Sequence, residues 1–328
     1  MEEVQLIGIS NAIVDILAHV DDAFLDSIGA PRGSMTLIDE EAARNLYQRM
    51  GSATEMSGGS VANTVAGFAN LGGSAAYIGR VRDDQFGDIF VHDMRSMGVD
   101  IRTDPAKDGA PTARSHVLIS SDGQRTMQTY LGACMELGVA DVSPDTVGQA
   151  RVILLEGYVW DIAEGPALAA EAIKIARTTE AKVALSLSDS FCVERHRDEY
   201  MAAVTNGVDI VCADEDEVMA LYQVDSFDAV LEAIKGSSNL WVMTRAAKGS
   251  VIVQGEETVV QQGIPIEKIV DTTGAGDAYT AAFLYGLTSG ESLAECARLG
   301  TWCATEVIQK LGGRLEKGVL DNYASASF

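Results

Sequence analysis

Positive charge is scarce in this sequence. Against 48 Asp and Glu stand 24 Lys and Arg, a formal net charge of −24. No basic patch offsets the deficit, which argues against nucleic acid or an anionic membrane surface as a partner. Proline is rare, with 6 residues, and no low-complexity tract suggests a disordered tail. No run of about 18 apolar residues occurs, so no membrane span is expected. Glu2 and Glu3 precede a short apolar run, unlike a secretory leader, and a cytoplasmic location is expected. Five scattered cysteines (Cys134, Cys192, Cys212, Cys296 and Cys303) include no Cys-x-x-Cys spacing and read as reduced, buried thiols. The Walker A pattern GxxxxGK[ST] is also missing, which excludes P-loop mechanics.

What is present is enough apolar sequence, 47% of 328 residues, for one large domain or one plus an appendage. Short β-branched runs alternate with helix-length amphipathic segments, the pattern of a parallel sheet covered on both faces. Expected strands are Val4–Ser10, Ala75–Val81, Val152–Tyr158, Lys182–Ser188, Val208–Ala213, Leu240–Thr244 and Ser250–Gln254. Expected helices include Ser60–Leu71, Asp84–Met97, Pro166–Thr178, Glu194–Thr205, Glu215–Tyr222, Ala275–Leu287 and Ser292–Lys310. Two stretches break this rhythm, Ala12–Asp39 and Val99–Leu131, and read as strands joined by turns without helices. They predict one small β-sheet laid as a lid over the main unit. The expected division is therefore 1–11, 40–98 and 132–328 for a large α/β domain, with 12–39 and 99–131 forming the lid. Such a lid can exclude water from a reacting centre.

The most informative segment is Asp271-Thr272-Thr273-Gly274-Ala275-Gly276-Asp277, between a β-rich stretch and a helix-like run. Small residues at a helix N-terminus let backbone N–H groups approach an anion, and the helix dipole favours negative charge there. Asp277 would oppose mere phosphate storage but suits a base for a hydroxyl attacking a phosphate. The alternative is a Gly-rich turn with a capping Asp. A second glycine constellation, Gly58-Gly59-Ser60-Val61-Ala62-Asn63, opens a helix and suits a polyol or ribose as well as a tight turn. Asn11 and Asp15 leave the first strand's C-terminal end, the edge where open α/β sheets bind ligands. They could serve adjacent hydroxyls or simply form Asx turns. Two kinase-like signals are decoys: His196-Arg197-Asp198 lacks the Asn five residues on, and Gln85-Phe86-Gly87 lacks a metal-binding Asp.

Together these segments resemble the ribokinase-like (PfkB-type) family of carbohydrate and nucleoside kinases. The carriers are Gly79-Arg80-Val81-Arg82-Asp83-Asp84-Gln85-Phe86-Gly87, with Arg82 where glycine is usual, and Val270–Tyr279 around the Gly-Ala-Gly-Asp turn. The resemblance implies a three-layer α/β/α domain with a mainly parallel sheet and a small β-sheet lid. It implies Asp277 as catalytic base and the N–H groups of Gly274, Ala275 and Gly276 as an anion hole. It places Thr244, Gly249 and Thr273 with Asp214 on the ATP side, with Arg245 of undefined role. The family's Asn-x-x-Glu magnesium motif corresponds to Asp214–Glu217, so Glu217 is the metal residue and Asp214 replaces Asn. Relatives also suggest a monovalent cation, K+, near Asp271 and Thr273.

Within the family the opening strand and Leu185-Ser186-Leu187-Ser188-Asp189-Ser190-Phe191 are similar to adenosine kinases. That similarity implies ATP-dependent phosphorylation of a nucleoside 5′-hydroxyl, with Asn11, Asp15, Gly58, Gly59 and Asn63 on the ribose. Met127, Leu131 and Phe191 would then form an apolar slot for a purine. A sugar kinase acting on ribose, fructose or 2-keto-3-deoxygluconate uses the same catalytic motifs, and Arg114 and Arg125 keep an acidic sugar in play. A non-catalytic nucleoside sensor is the third reading. An exposed lid edge could pair two copies into a homodimer.

Overall fold

The computed structural model describes residues 3–147 and 150–323, so the extreme ends of the expected large domain lie outside the described residues. In chain order the strands are β1 Val4–Ile9, β2 Ile13–His19, β3 Met35–Leu37, β4 Thr54–Gly58, β5 Ala75–Ile78, β6 Asp100–Ile101 and β7 Ala113–Ile119. They continue as β8 Arg125–Tyr130, β9 Ala150–Glu156, β10 Lys182–Ser186, β11 Ile210–Asp214, β12 Leu240–Thr244, β13 Ser250–Gln254 and β14 Glu257–Gln261. The helices are α1 Asp22–Ile28, α2 Glu40–Arg49, α3 Ser60–Asn70, α4 Gln85–Ser96, α5 Pro144–Val147 and α6 Gly165–Thr179. The second half adds α7 Ser190–Arg195, α8 Arg197–Asn206, α9 Glu215–Tyr222, α10 Phe227–Ala233, α11 Ala275–Thr288 and α12 Leu293–Val307. No described helix is long and apolar enough to cross a membrane.

Nine strands form the main sheet in the order β14-β13-β12-β11-β10-β9-β1-β5-β6. Pairing is parallel from β12 to β6, and only the β12–β13 and β13–β14 pairs are antiparallel, so β13 alone runs against the rest. Strands buried on both faces read as near-continuous apolar runs, which is why Val-Ile-Leu-Leu in β9 and Ala-Ala-Tyr-Ile in β5 signal so clearly. Along β9 the side chains alternate between two cores. Ile153 and Leu155 pack on the side of α6 and α9, while Val152 and Leu154 pack on the side of α3, α11 and α12. The five cysteines are free and buried, as expected.

The smaller sheet has the order β3-β8-β7-β2-β4. Four strands come from the two segments that break the α/β rhythm. The fifth, β4, comes from within 40–98, and it pairs antiparallel with β2. Its sequence, Thr-Glu-Met-Ser-Gly, is an edge strand with one β-branched residue, so it carries little strand signal. Helix α1 also corrects the helix-free reading of 12–39. It spans only two turns, closed by the Asp21 side chain at its start and by Gly29 in the left-handed region at its end. The single helix expected over Glu194–Thr205 is two, because the backbone breaks at His196, whose Nε2 meets Asp161 at 2.7 Å.

Register divides the lid into two faces. Asp15 pairs with Ser115, and Ser115 with Thr129, so these three share one face with Arg125, Met127 and Met35. Arg114, His116 and Leu118 take the other face, where α1 and α2 cover the sheet.

Candidate active site

The turn before α11 places its glycines by steric need. Gly274 caps the helix at φ 73°, and a Cβ there would run into the backbone of Gly313. Gly274, Ala275 and Gly276 line a cavity of about 520 Å³ together with Asp277, Asp214, Glu217, Thr244 and Tyr158. The Ala275 N–H leans back to the Thr272 carbonyl at 3.3 Å, and the other first-turn donors belong to a helix start that lacks a side-chain cap. A helix N-terminus open to a cavity is an anion site by dipole and by unsatisfied donors.

Asp277 is fixed from both sides. Its Oδ1 accepts from Ser60 Oγ at 2.6 Å and its Oδ2 from Asn63 Nδ2 at 3.1 Å. Burial raises its carboxyl to about 6, while those two donors and the Arg314 charge pull it down. Such a group is ionised near neutral pH yet basic enough to take a hydroxyl proton.

Near Asp277 four elements, β2, β4, α3 and β9, meet the step between β1 and β2. Burial also raises Asp15 on β2 to about 6, opposed by Arg314 and Arg125. Asp15 is pressed against Gly58, where any Cβ would strike its carboxylate. Gly59, at φ 97°, lets α3 start within contact of the Asn11 carbonyl. The Asn11 N–H donates to Glu156 Oε2 at 3.0 Å, and the Val61 N–H donates to Glu156 Oε1 at 3.3 Å. Burial holds that carboxyl at about 7. Asn11 Oδ1 is buried with no hydrogen-bond partner among the described residues, an acceptor left available.

On the nucleotide side, Thr244, Gly249, Gly263, Ile264, Tyr279 and Ile308 are among the lining of a second, mainly apolar cavity of about 590 Å³. It shares Thr244, Ala275, Gly276 and Tyr279 with the first cavity. Asp214 and Glu217 cap α9 reciprocally: the Glu217 N–H donates to Asp214 Oδ1 at 2.8 Å and the Asp214 N–H to Glu217 Oε2 at 2.9 Å. Each keeps one carboxylate oxygen free of that exchange. Burial and the Asp214 charge raise Glu217 to about 8, so the pair lacks compensating positive charge and fits a divalent cation. Arg245 has a structural role here. It forks onto Glu215 at 2.9 and 3.1 Å and stacks on Phe227, tying β12 to α9 and α10.

Some expected residues sit elsewhere. Thr273 lines neither cavity; its N–H donates to Asp271, and Thr272 faces the cavities instead. The Asp271 carboxylate also takes the Gly312 N–H and an ion pair from Arg125. A monovalent cation does not fit that carboxylate, which already has a guanidinium. Arg114 is on the wrong face of the lid for any acceptor, sandwiched between Phe86 and Tyr130. Phe191 is 71% exposed on α7 and belongs to no core, and Met127 is half-buried beside exposed Met35. Leu131 follows β8 at the start of a short 3₁₀ turn. The residues missed from sequence are Ser60, Glu156 and Arg314. Ser60 lies inside the second glycine constellation but has no role of its own in that reading, and nothing local marks the other two.

The match to known proteins covers the same parts. The model of the pfkB family carbohydrate kinases matches residues 25–317. The 5-dehydro-2-deoxygluconokinase of Bacillus subtilis (strain 168) is 28% identical over 301 residues, 88% of this chain and 92% of that one. The crystal structure of adenosine kinase from Sinorhizobium meliloti superposes with a TM-score of 0.91 at 46% identity, covering 99% of this chain and all of that chain. A probable sugar kinase protein from Rhizobium etli CFN 42 superposes equally well, at 44% identity and 99% coverage of both chains. With Asp277 in the first turn of a helix whose N-terminus opens on a cavity and a family match over residues 25–317, the chain belongs to the pfkB family of carbohydrate kinases and is a phosphotransferase acting on an alcohol.

Proposed function

We propose that this kinase transfers the γ-phosphate of ATP to the 5′-hydroxyl of a nucleoside, adenosine being the acceptor its site suits. The observation that carries the nucleoside reading is the lid face shared by Asp15, Met127 and Met35, with Met35 53% exposed, and Phe191 is likewise bare on α7. Large exposed apolar side chains beside a polyol-binding carboxylate suit a flat base attached to a ribose. The similarity to the Sinorhizobium meliloti adenosine kinase supports the same acceptor.

In this mechanism Asp15, Asn11 and Gly59 hold the ribose, with Asn63 positioned beside them. Asp277 takes the 5′-hydroxyl proton as O5′ bonds to the γ-phosphorus and the bond to the bridging β–γ oxygen breaks, leaving ADP. The N–H donors of Gly274, Ala275 and Gly276 receive the charge on the transferring group, and fixed backbone donors need no reorganisation to do so. Glu217, with Asp214 through water, would hold a magnesium ion that neutralises triphosphate charge. The edge strands β3 and β4 of the small sheet are where a homodimer would form.

A sugar acceptor is the second reading. It is favoured by the similarity to the Bacillus subtilis 5-dehydro-2-deoxygluconokinase and by Arg125 on the acceptor-facing side of the lid. The test is coupled ADP release with ATP and magnesium against adenosine, inosine, guanosine, cytidine, ribose, fructose and 2-keto-3-deoxygluconate. Adenosine leading in kcat/KM by tenfold or more supports the nucleoside reading; a free sugar leading overturns it.

A further inference from the structure

Three consecutive residues after α12 reach Asp271, the glycine turn before α11 and Asn63 in succession. The Gly312 N–H donates to Asp271 Oδ2 at 2.8 Å. Gly313 lies against Gly274 so closely that a Cβ on either would meet the other's backbone. Arg314 then turns inward, its side chain only 10% exposed. Its Nε donates to Asn63 Oδ1 at 2.9 Å, and its Nη1 lies 3.6 Å from Asp93 on α4 and 3.4 Å from Met97 Sδ. Its Nη2 is buried without a hydrogen-bond partner among the described residues.

The bond to Asn63 has a consequence for the base. An amide has one oxygen and one NH₂, and either end can face a neighbour. Because Arg314 has no acceptor, it can bond only the oxygen, which leaves the NH₂ to point at Asp277. That is the 3.1 Å bond observed. Were the amide reversed, Arg314 would face an NH₂ and Asp277 would face an oxygen, two repulsive contacts in a recessed site. Asp93 secures the other side of the guanidinium, and is itself held by the Ser57 N–H at 2.9 Å and by the Ser57 hydroxyl.

We propose that Arg314 is a positioning residue of this kinase, orienting the Asn63 amide so that it donates to the catalytic base Asp277, and supplying the positive charge behind the acceptor site. The charge argument is independent of the amide. Arg314 lowers both Asp15 and Asp277 against the burial that raises them, assisted by Arg125 at Asp15 and by the neutral donors Ser60 and Asn63 at Asp277, while the Asp277 charge in turn raises Asp15, Glu156 and Glu217. The inference rests on Asp277 as base, and on no particular acceptor.

The experiment compares wild type with Arg314→Lys, Arg314→Met, Asn63→Ala and the double variant Arg314→Met/Asn63→Ala, using whichever acceptor the panel phosphorylates. Arg314→Met should lower kcat at least tenfold and move the acidic limb of kcat/KM upward by about one pH unit, since an opposite charge has been removed. Arg314→Lys, keeping the charge without the fork, should restore the limb but not the full kcat. Arg314→Met should cost little more once Asn63 is already Ala, beyond the shifted limb. A limb unmoved in Arg314→Met, or fully additive losses in kcat, would overturn the proposal. Should Arg314→Met not fold, the Lys variant and the limb of Asn63→Ala against wild type carry the test. A ¹³C-carboxyl titration of aspartate-labelled protein, with the Asp277 signal assigned by Asp277→Asn, needs no acceptor at all. An Asp277 midpoint that rises in Arg314→Met supports the proposal even if no panel member is phosphorylated; an unchanged midpoint refutes it.

Discussion

Asp277→Asn should slow the enzyme and strengthen the fold. The carboxyl moves from 3.8 to about 6 on folding, a difference of about 2 units in favour of the protonated form. Its folded pKa is raised, so the native state holds more proton than the unfolded chain between those values. Stability therefore falls as pH rises through that window, and the loss is complete above it. At 1.36 kcal/mol per unit the ionised base costs about 3 kcal/mol at pH 8, an upper figure because Asp15 and Glu156 titrate with it. Asparagine removes the charge and keeps the shape. Its oxygen can accept from Asn63 while its NH₂ donates to Ser60, whose hydroxyl simply rotates. Urea unfolding at pH 8 should give a higher midpoint for Asp277→Asn than for wild type, and the gap should close towards pH 4. At the same time kcat should fall by about 10²–10⁴, the range for losing a general base. Near-full kcat would remove Asp277 from that role. A lower midpoint at pH 8 would refute the charge argument.

Two further outcomes follow from the site. Gly58→Ala would push its methyl into the Asp15 carboxylate, so the acceptor KM should rise at least tenfold while unfolding shifts by under about 2 kcal/mol; an unchanged KM means Asp15 does not hold the acceptor. Glu217→Gln should raise the magnesium needed for half-maximal rate by about 10–100-fold, and a flat magnesium dependence across the two proteins would dismiss Glu217 as metal support.

The main sheet was legible because parallel strands covered on both sides leave unbroken apolar runs, and the candidate site because Gly274–Asp277 puts an open helix N-terminus and a carboxylate into four residues. The lid was legible only as an interruption. β4 and α1 escaped because one is a polar edge strand and the other is two turns long. Arg114 was misjudged for a different reason. It and Ser115 are neighbours in sequence on opposite faces, and only the pairing of β7 with β2 reveals which face belongs to Asp15. Glu156 and Arg314 gave no local sign, since each acts through partners 95 or more residues away. Long-range polar contacts of that kind have no sequence period to betray them.

The step from β1 to β2 takes three residues, Ser10, Asn11 and Ala12, all buried, and it carries the chain out of one sheet and into the other. β2 is then gripped on both sides, by β4 and by β7. Counting parity thus becomes a selectable trait. Losing or gaining one residue between Asn11 and Asp15 would rotate the carboxylate onto the face occupied by His116 and leave a hydrophobic side chain at the acceptor. A change of two would restore the side but not the reach. Among descendants of this sequence, length should therefore drift freely at the Ser121–Gly123 hairpin tip and stay frozen across these five positions.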